Sequence, residues 1–532
     1  MSGRRYKSGP SREQGCLLPP HVEDYVSSTN PVRAIDVYVD SLDLAALGFV
    51  NAQGGIQQGQ PSYSPSDMLK LYLYGYLNRV QSSRRLEHEA HRNLEVIWLL
   101  RGLRPSYKTI ADFRKVNRKA LKLVNRDFVL LCKELDLYGG ELVGIDGAFF
   151  NGNAGVGSIY TASKLKKQQS KIEAAIARYL NALEAEDARE GAVTLVDDRR
   201  LHEKLERLRV RQKDCQDKQR QLKERGDTQL SLTDGDARLL RKQGQVTAGY
   251  NVQCAVDDKY KLLVVCDVVN DGNDLGQLYP MAQKAKEVLG VETLTVVADS
   301  GYYKQTHLKA CKDDGITPYV AIPEPNKTER FSRKEFRYEA DRDAYCCPAG
   351  EYLERQSRQT KGDTVNFKYA IKASICQACS LKGRCLPKKT PYRQIYRYEH
   401  EEVVVAHEER MHQKGRTYMK KRAALAEHPF GTLKVWCGWL HFLTRGLGKV
   451  RAEMDLLMLS YNFKRVLNIL GVEAFRAYCL QRKARIGRNS GLFYLFLHRM
   501  WEIRGILGRF MMIFSTLVVW NVENEPIRNQ PI

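Results

Sequence analysis

Two short apolar runs, each ending in an aspartate, constrain this chain more than any other feature. Leu142-Val143-Gly144-Ile145 leads into Asp146, and Leu294-Thr295-Val296-Val297-Ala298 leads into Asp299. Short apolar runs bounded by turn residues read as buried strands. A third acid, Glu427, closes Lys420-Lys421-Arg422-Ala423-Ala424-Leu425-Ala426-Glu427, a stretch of helix formers. Two strand-end aspartates and one helical glutamate are what a fold needs to bring two divalent metal ions to one point.

The residues between these acids predict a mixed α/β order. Gly139-Gly140 closes a mostly helical stretch over 1–135. Strands are then expected at Leu142–Ile145, at Tyr250–Val256 and, after an Asp257-Asp258 turn, at Leu262–Val269. A helix follows from about Leu275 to Leu289, then a strand over Thr293–Ala298. Strand, hairpin, helix, strand is an α/β arrangement with a mixed sheet.

The N-terminal stretch reads as helices. Ser64-Pro65-Ser66-Asp67 supplies cap chemistry before Met68–Leu77, apolar on almost every side. Leu86, Ala90, Leu94 and Trp98 recur every fourth residue as one helix ended by Pro105-Ser106, and Ser106 or Thr109 starts the next. Short helices with a basic last member fit a helix-turn-helix-like DNA reader as well as a plain bundle.

Two insertions interrupt the α/β order. Over 163–225 the chain is charged, with stripes Ile172, Ile176, Tyr179, Leu180, Leu183 and Leu201, Leu208, Cys215, Leu222, which predict an antiparallel helical hairpin. Over 331–392 come Cys346-Cys347-Pro348, Cys376-x-x-Cys379 and Cys385. That spacing suits a tetrahedral zinc site of Cys347, Cys376, Cys379 and Cys385, with Cys346 able to replace Cys347; reduced thiols in a loop are the other reading. The α/β core then occupies 136–330 and 393–475, and 476–532 is a basic and apolar tail.

Charge and cysteine usage narrow the function. The 532 residues carry a net charge of +23, spread along the chain, which faces a polyanion more readily than a neutral partner. Met1-Ser2-Gly3-Arg4-Arg5 is followed by no apolar segment of the export type, so the 13 cysteines argue for reduced thiols or metal ligands in the cytoplasm. Phe510–Val522 is too short to span a bilayer as a helix, so no membrane partner is expected.

Phosphodiester cleavage needs an activated water or hydroxyl and a stabilised leaving oxygen, and a pair of Mg²⁺ ions supplies both. Carboxylates suit Mg²⁺, or Mn²⁺ in its place. Asp146 would bridge both ions from a middle strand, Asp299 would hold one from a neighbouring parallel strand, and Glu427 would complete the other. Lys434 follows Glu427 by seven residues, on the same helical face, where it can meet DNA phosphate. Asp274, in Asn270-Asp271-Gly272-Asn273-Asp274, reads as turn chemistry, and Asp234 and Asp236 as helix caps.

Asp146-Gly147, Gly249-Tyr250-Asn251-Val252-Gln253, Ala298-Asp299-Ser300-Gly301-Tyr302 and Glu427-His428-Pro429-Phe430-Gly431-Thr432-Leu433-Lys434 resemble the DDE transposases of bacterial insertion sequences. The match is closest to the IS eleven-eighty-two group, and Glu13-Gln14, Leu17-Leu18-Pro19-Pro20 and Leu42-Asp43-Leu44 share it. The resemblance implies a ribonuclease-H-like core with Asp146, Asp299 and Glu427 as the metal-binding triad. It implies cleavage at terminal inverted repeats of double-stranded DNA and attack of the freed 3′-hydroxyl on target DNA. A homo-oligomer, at least a dimer when ends are paired, is implied in a bacterial cytoplasm, nucleoid-associated on DNA. Arg422 and Lys434 look like the basic residues flanking the family glutamate. Related enzymes place the arginine four residues before that glutamate; here Ala423 stands there and Arg422 one earlier. Pro429 predicts a kink just after Glu427. The other function class is a transposon-derived DNA-binding protein that lacks cleavage activity.

Overall fold

The structure is a computed structural model, and it describes residues 21–52, 61–187, 195–242, 244–323, 330–436 and 441–485. Glu13–Pro20, Phe510–Val522 and the rest of the tail from 486 lie outside the described residues, as do the side chains of Glu427, Leu183 and Leu201. The chain divides into two units. One comprises Met1–Tyr74, Arg84–Tyr107 and Val466–Ile532; the other comprises Gly75–Ser83 and Lys108–Arg465.

The first unit is built from helices. α1 (Pro31–Asp40) begins at Asn30, whose side chain accepts from the Val32 amide. α2 (Pro65–Leu77) buries Met68 to Tyr74 continuously, as its apolar sequence requires. Even Lys70 is buried there, with its ammonium 2.6 Å from Asp36 and 2.7 Å from Asp40. The four-residue recurrence from Leu86 to Trp98 does not make one helix. It makes α3 (Ser83–Arg92) and α4 (Leu94–Leu99), because the Asn93 side chain accepts from the Glu95 and Val96 amides and starts a new helix. Leu86 and Ala90 are buried while Leu94 is exposed.

In the second unit α5 (Tyr107–Val116) and α6 (Arg118–Glu134) precede the sheet. β1 (Leu142–Asn151) runs five residues beyond Asp146, so that carboxylate projects from mid-strand, not from a strand end. β2 (Ile159–Thr161) then leads into α7 (Ala162–Asp187), α8 (Leu195–Arg225) and β3 (Gln229–Ser231). This is the expected helical hairpin. β2 and β3 pair antiparallel at its base, and Leu165, Cys215, Leu222 and Leu230 form its small core.

β4 (Arg238–Lys242), β5 (Gln245–Asp257), β6 (Leu263–Val269), α9 (Leu278–Leu289), β7 (Leu294–Ala298), α10 (Gln305–Asp313) and β8 (Ile316–Val320) complete the main sheet and its helices. Strand order is β4-β5-β1-β7-β8, with β6 also on β5. β5 is antiparallel to β1, β4 and β6, while β7 is parallel to β1 and β8. The mixed α/β architecture with a helical N-terminal region is as the sequence predicts. β5 is buried continuously from Ala248 to Asp257.

The cysteine segment is folded and not a loop. β9 (Arg337–Glu339), β10 (Ala344–Cys346), β11 (Tyr352–Lys361), β12 (Thr364–Ala370), α11 (Ala373–Ala378), α12 (Lys382–Cys385) and β13 (Gln394–Tyr398) form a second sheet and two short helices. The sheet was invisible in the sequence because β11 exposes nearly all of its charged residues and buries only Leu353. α13 (Glu401–Gly431) and α14 (Leu447–Leu470) follow. Among the described residues no helix is long and apolar enough to cross a membrane.

Candidate active site

Strand pairing brings the two aspartates together. β1 and β7 run parallel with Leu142 opposite Thr295 and Gly144 opposite Val297, and two residues further along that register Asp146, in mid-β1, stands level with Asp299, just past the end of β7. α13 packs against β1, β7 and β8. Two contacts fix it: Tyr418 stacks on Tyr319 with ring centres 3.8 Å apart, and the His407 ring nitrogen lies 3.0 Å from the Val320 carbonyl. Leu425 is fully buried over Gly144, where a β-carbon would lie 2.7 Å from its own.

This seating delivers Arg422 to both acids. Its guanidinium lies 3.8 Å from Asp146 and 3.7 Å from Asp299, ion-pair distances longer than hydrogen bonds. Its buried Nε has no hydrogen-bond partner among the described residues. Burial raises the Asp146 carboxyl above its ordinary range, and the neighbouring Asp299 charge adds to this. The Gly147 amide, Arg422 and Lys242 oppose that shift. The site therefore holds two like charges partly withdrawn from water and incompletely neutralised.

Glu427 belongs to α13, five residues after Arg422, and its side chain lies outside the described residues. The helix continues through Pro429 to Gly431 and then widens into a π-helical turn over Thr432–Trp436. The seven-residue phase between Glu427 and Lys434 assumed an unbroken α-helix and does not carry over into that wider turn. Lys434 is half-buried, 4.9 Å from the centre of the Phe150 ring. Burial lowers its pKa, Lys242 lowers it further, and Asp146 pulls it back up. His428 sits between Tyr461 and Arg465 of α14, 3.2 Å from each.

A polar network that the sequence pattern does not announce lies beside the aspartates. Asn251 and Gln253 are fully buried on β5, and both donate to Asp274, at 2.7 and 2.6 Å. Tyr302, three residues past Asp299 and also fully buried, donates to the side-chain oxygen Oε1 of Gln253. Burial raises the Tyr302 pKa well above normal, with Asp274, Asp146 and Asp299 adding to the effect. The available signal was two amides at strand spacing in an otherwise apolar run, which places both on one buried face. Asp234 and Asp236 do cap a helix, but a distant one. Asp234 accepts from Gly446 and from the Tyr250 hydroxyl, and Asp236 accepts from Leu447 at the start of α14.

Cys347, Cys376, Cys379 and Cys385 line one cavity of about 30 Å³ with Phe336, Leu353 and Ile371; Cys346 is not among its lining residues. Burial raises the Cys385 thiol. Among the described residues, no group of three or more His, Cys, Asp or Glu side chains is close enough to hold a metal ion. Asp146 and Asp299 still fit a divalent cation as part of its shell. They are hard oxygen donors, charge-crowded, and flanked by glycines at 147 and 301.

Two family models match. Residues 20–116 match "Transposase domain (DUF772)", and residues 227–463, which include Asp299 and Glu427, match "Transposase DDE domain". Together they cover well over half of the chain. The chain belongs to the DDE transposases of the insertion-sequence type. Asp146 precedes the second match and is brought beside Asp299 by the pairing of β1 with β7. No curated protein matches the transposase chain. A solved structure, the cryo-EM piggyBac transposase synaptic complex with hairpin DNA, is 10% identical over 86% of this chain and 79% of that chain, with a TM-score of 0.27. A likeness that low carries no argument.

Proposed function

We propose that this chain is a divalent-metal-dependent transposase. It binds the terminal inverted repeats of its insertion sequence, of the IS eleven-eighty-two group, cleaves DNA there and joins the freed 3′-hydroxyl to target DNA. The observation that carries the reading is the approach of Asp146 and Asp299 from adjoining parallel strands to a single arginine of α13.

The main sheet is read as a ribonuclease-H-like core, with Asp146, Asp299 and Glu427 as the ligands of two Mg²⁺ or Mn²⁺ ions. When bound, that pair supplies activation of the attacking oxygen and neutralisation of the leaving one. The residues of the chain do the rest. Asp146 and Asp299 are held by strand pairing, so their geometry needs no reorganisation on DNA binding. Arg422 presents a cation beside the carboxylates, where a DNA phosphate would replace the acids as its partner, and Lys434, over the Phe150 ring, adds a second positive charge for phosphate. The net charge of +23 favours double-stranded DNA as the partner of the whole chain. Pairing of two element ends calls for at least a dimer, and the bacterial cytoplasm, at the nucleoid, is the place of action. The four-thiol cavity is read as a structural Zn²⁺ site whose thiols, not within common reach of one ion here, would be drawn together by the metal.

Asp146→Asn, Asp299→Asn and Glu427→Gln should each stop strand cleavage while leaving binding to the inverted repeats nearly intact. Normal cleavage by any one of them removes that residue from the triad. The zinc reading is tested by metal content. Purified protein should carry one zinc per chain, and Cys376→Ser with Cys379→Ser should lose it; zinc-free wild-type protein from zinc-replete cells would end that reading.

A further inference from the structure

Asp274 looks like one member of an acidic turn, yet its neighbours do the work of that turn. Asn273 accepts from the Leu275 amide and Asp271 accepts from the Gln277 side chain. Asp274 instead turns toward the two catalytic aspartates. Its Oδ1 accepts from Asn251 and Gln253, and Gln253 donates to Asn251 as well, at 3.0 Å. Among the described residues nothing donates to its Oδ2. That oxygen lies 3.9 Å from where a β-carbon on Gly301 would stand, and Asp299 Oδ1 lies 3.0 Å from the same point. On the other side, a β-carbon on Gly147 would come within 2.3 Å of the Gln253 amide nitrogen and 2.8 Å of Asp274 Oδ1. Asp274 is thus wedged between the backbone beside Asp146 and the turn that carries Asp299.

We infer that Asp274 is a positioning carboxylate of this site: Oδ1 locks the two buried β5 amides, and Oδ2 accepts from the hydration water of the divalent cation taken by Asp299. The inference rests on the metal-dependent reading proposed above. An outer role, through water, follows from two facts. Asp146, Asp274 and Asp299 do not form a group close enough to hold one ion directly. Mg²⁺ also keeps several waters in protein sites, and those waters need acceptors. The division of labour follows from the amides. Both donate to one oxygen, which leaves the carboxylate's second oxygen and much of its charge unspent.

The experiment uses full-length protein without DNA and Mn²⁺ as the probe, with free Mn²⁺ followed by electron paramagnetic resonance. Asp274→Asn keeps an acceptor for the two amides and puts an NH₂ where Oδ2 was. It should melt as wild type does and bind Mn²⁺ about tenfold more weakly or worse, the usual cost of losing an outer partner. Asp299→Asn, run alongside, should bind more weakly still. Wild-type Mn²⁺ affinity in Asp274→Asn, with affinity lost in Asp299→Asn, overturns the role of Asp274 and leaves the triad standing. Wild-type affinity in Asp299→Asn overturns the metal reading itself. Asp274→Ser leaves room for a water to meet the amides. It replaces Asp274→Asn if that variant does not fold, with the same outcomes expected.

Discussion

The gap between β1 and α13 is set by a missing side chain, and restoring one carbon should disable the site. A β-carbon on Gly144 would lie 2.7, 3.1 and 3.4 Å from Cβ, Cδ1 and Cγ of Leu425. Carbon atoms in contact sit about 3.5–4.0 Å apart, so Gly144→Ala must push the helix away by about 1 Å. Gly144 is hemmed in by Val256 on β5 and Val297 on β7, so the strand cannot yield instead. Overpacking of this kind costs about 1–3 kcal/mol, and the lower unfolded-state entropy of Ala returns only about 0.4–1 kcal/mol. The functional cost is larger. α13 carries Arg422 and Glu427 on either side of Leu425, and a 1 Å misplacement can cost on the order of 10²-fold in rate. Single-turnover cleavage of a duplex bearing one element end, with a thermal melt of the same sample, measures both. Leu425→Ala added to Gly144→Ala should rescue only in part, because it removes the Cγ and Cδ1 contacts but keeps Cβ. Cleavage within about twofold of wild type and an unchanged melt for Gly144→Ala would refute the argument that this contact sets the spacing.

Two further predictions concern stability. Tyr250→Phe removes a hydroxyl placed 2.8 Å from both oxygens of the buried Asp234, and loss of such a charged hydrogen bond costs about 1.5–3 kcal/mol, read as a lower urea midpoint. Asp455, largely buried beside Asn125, has its carboxyl pushed up to about 7 by burial, with the Asp267 charge adding. The folded state thus holds a proton that the unfolded state releases near its ordinary value of 3.8. The stability this gives is fully present below that value and is lost as pH rises to about 7. Asp455→Asn should flatten melting temperature against pH across that window; an unchanged slope would show that Asp455 does not carry it.

Periodicity and breakers are local properties, and they were enough to place β7 with Asp299 at its end, the all-round buried α2 and the helical hairpin over 163–225. They misjudged what depends on a single cap or on partners far away. Asn93 split a four-residue recurrence into two helices, because a side chain that satisfies the next amides competes with helix continuation. Asp146 read as a strand end, yet β1 continues because β5 pairs with it as far as Asn151. The charged β11 reads as loop until β10 and β12 flank it.

The sequence by itself singled out the candidates for the chemistry: the two aspartates, the glutamate-bearing helix and the basic side chains on either side of that glutamate. The tertiary structure decided how they meet. It put Arg422 between Asp146 and Asp299, turned Asp274 from a loop residue into part of their setting, and used Asp234 and Asp236 to start a helix more than two hundred residues away. Apolar spacing records which face of an element is buried, whereas the partner of a buried polar group is chosen only when distant strands and helices close over it.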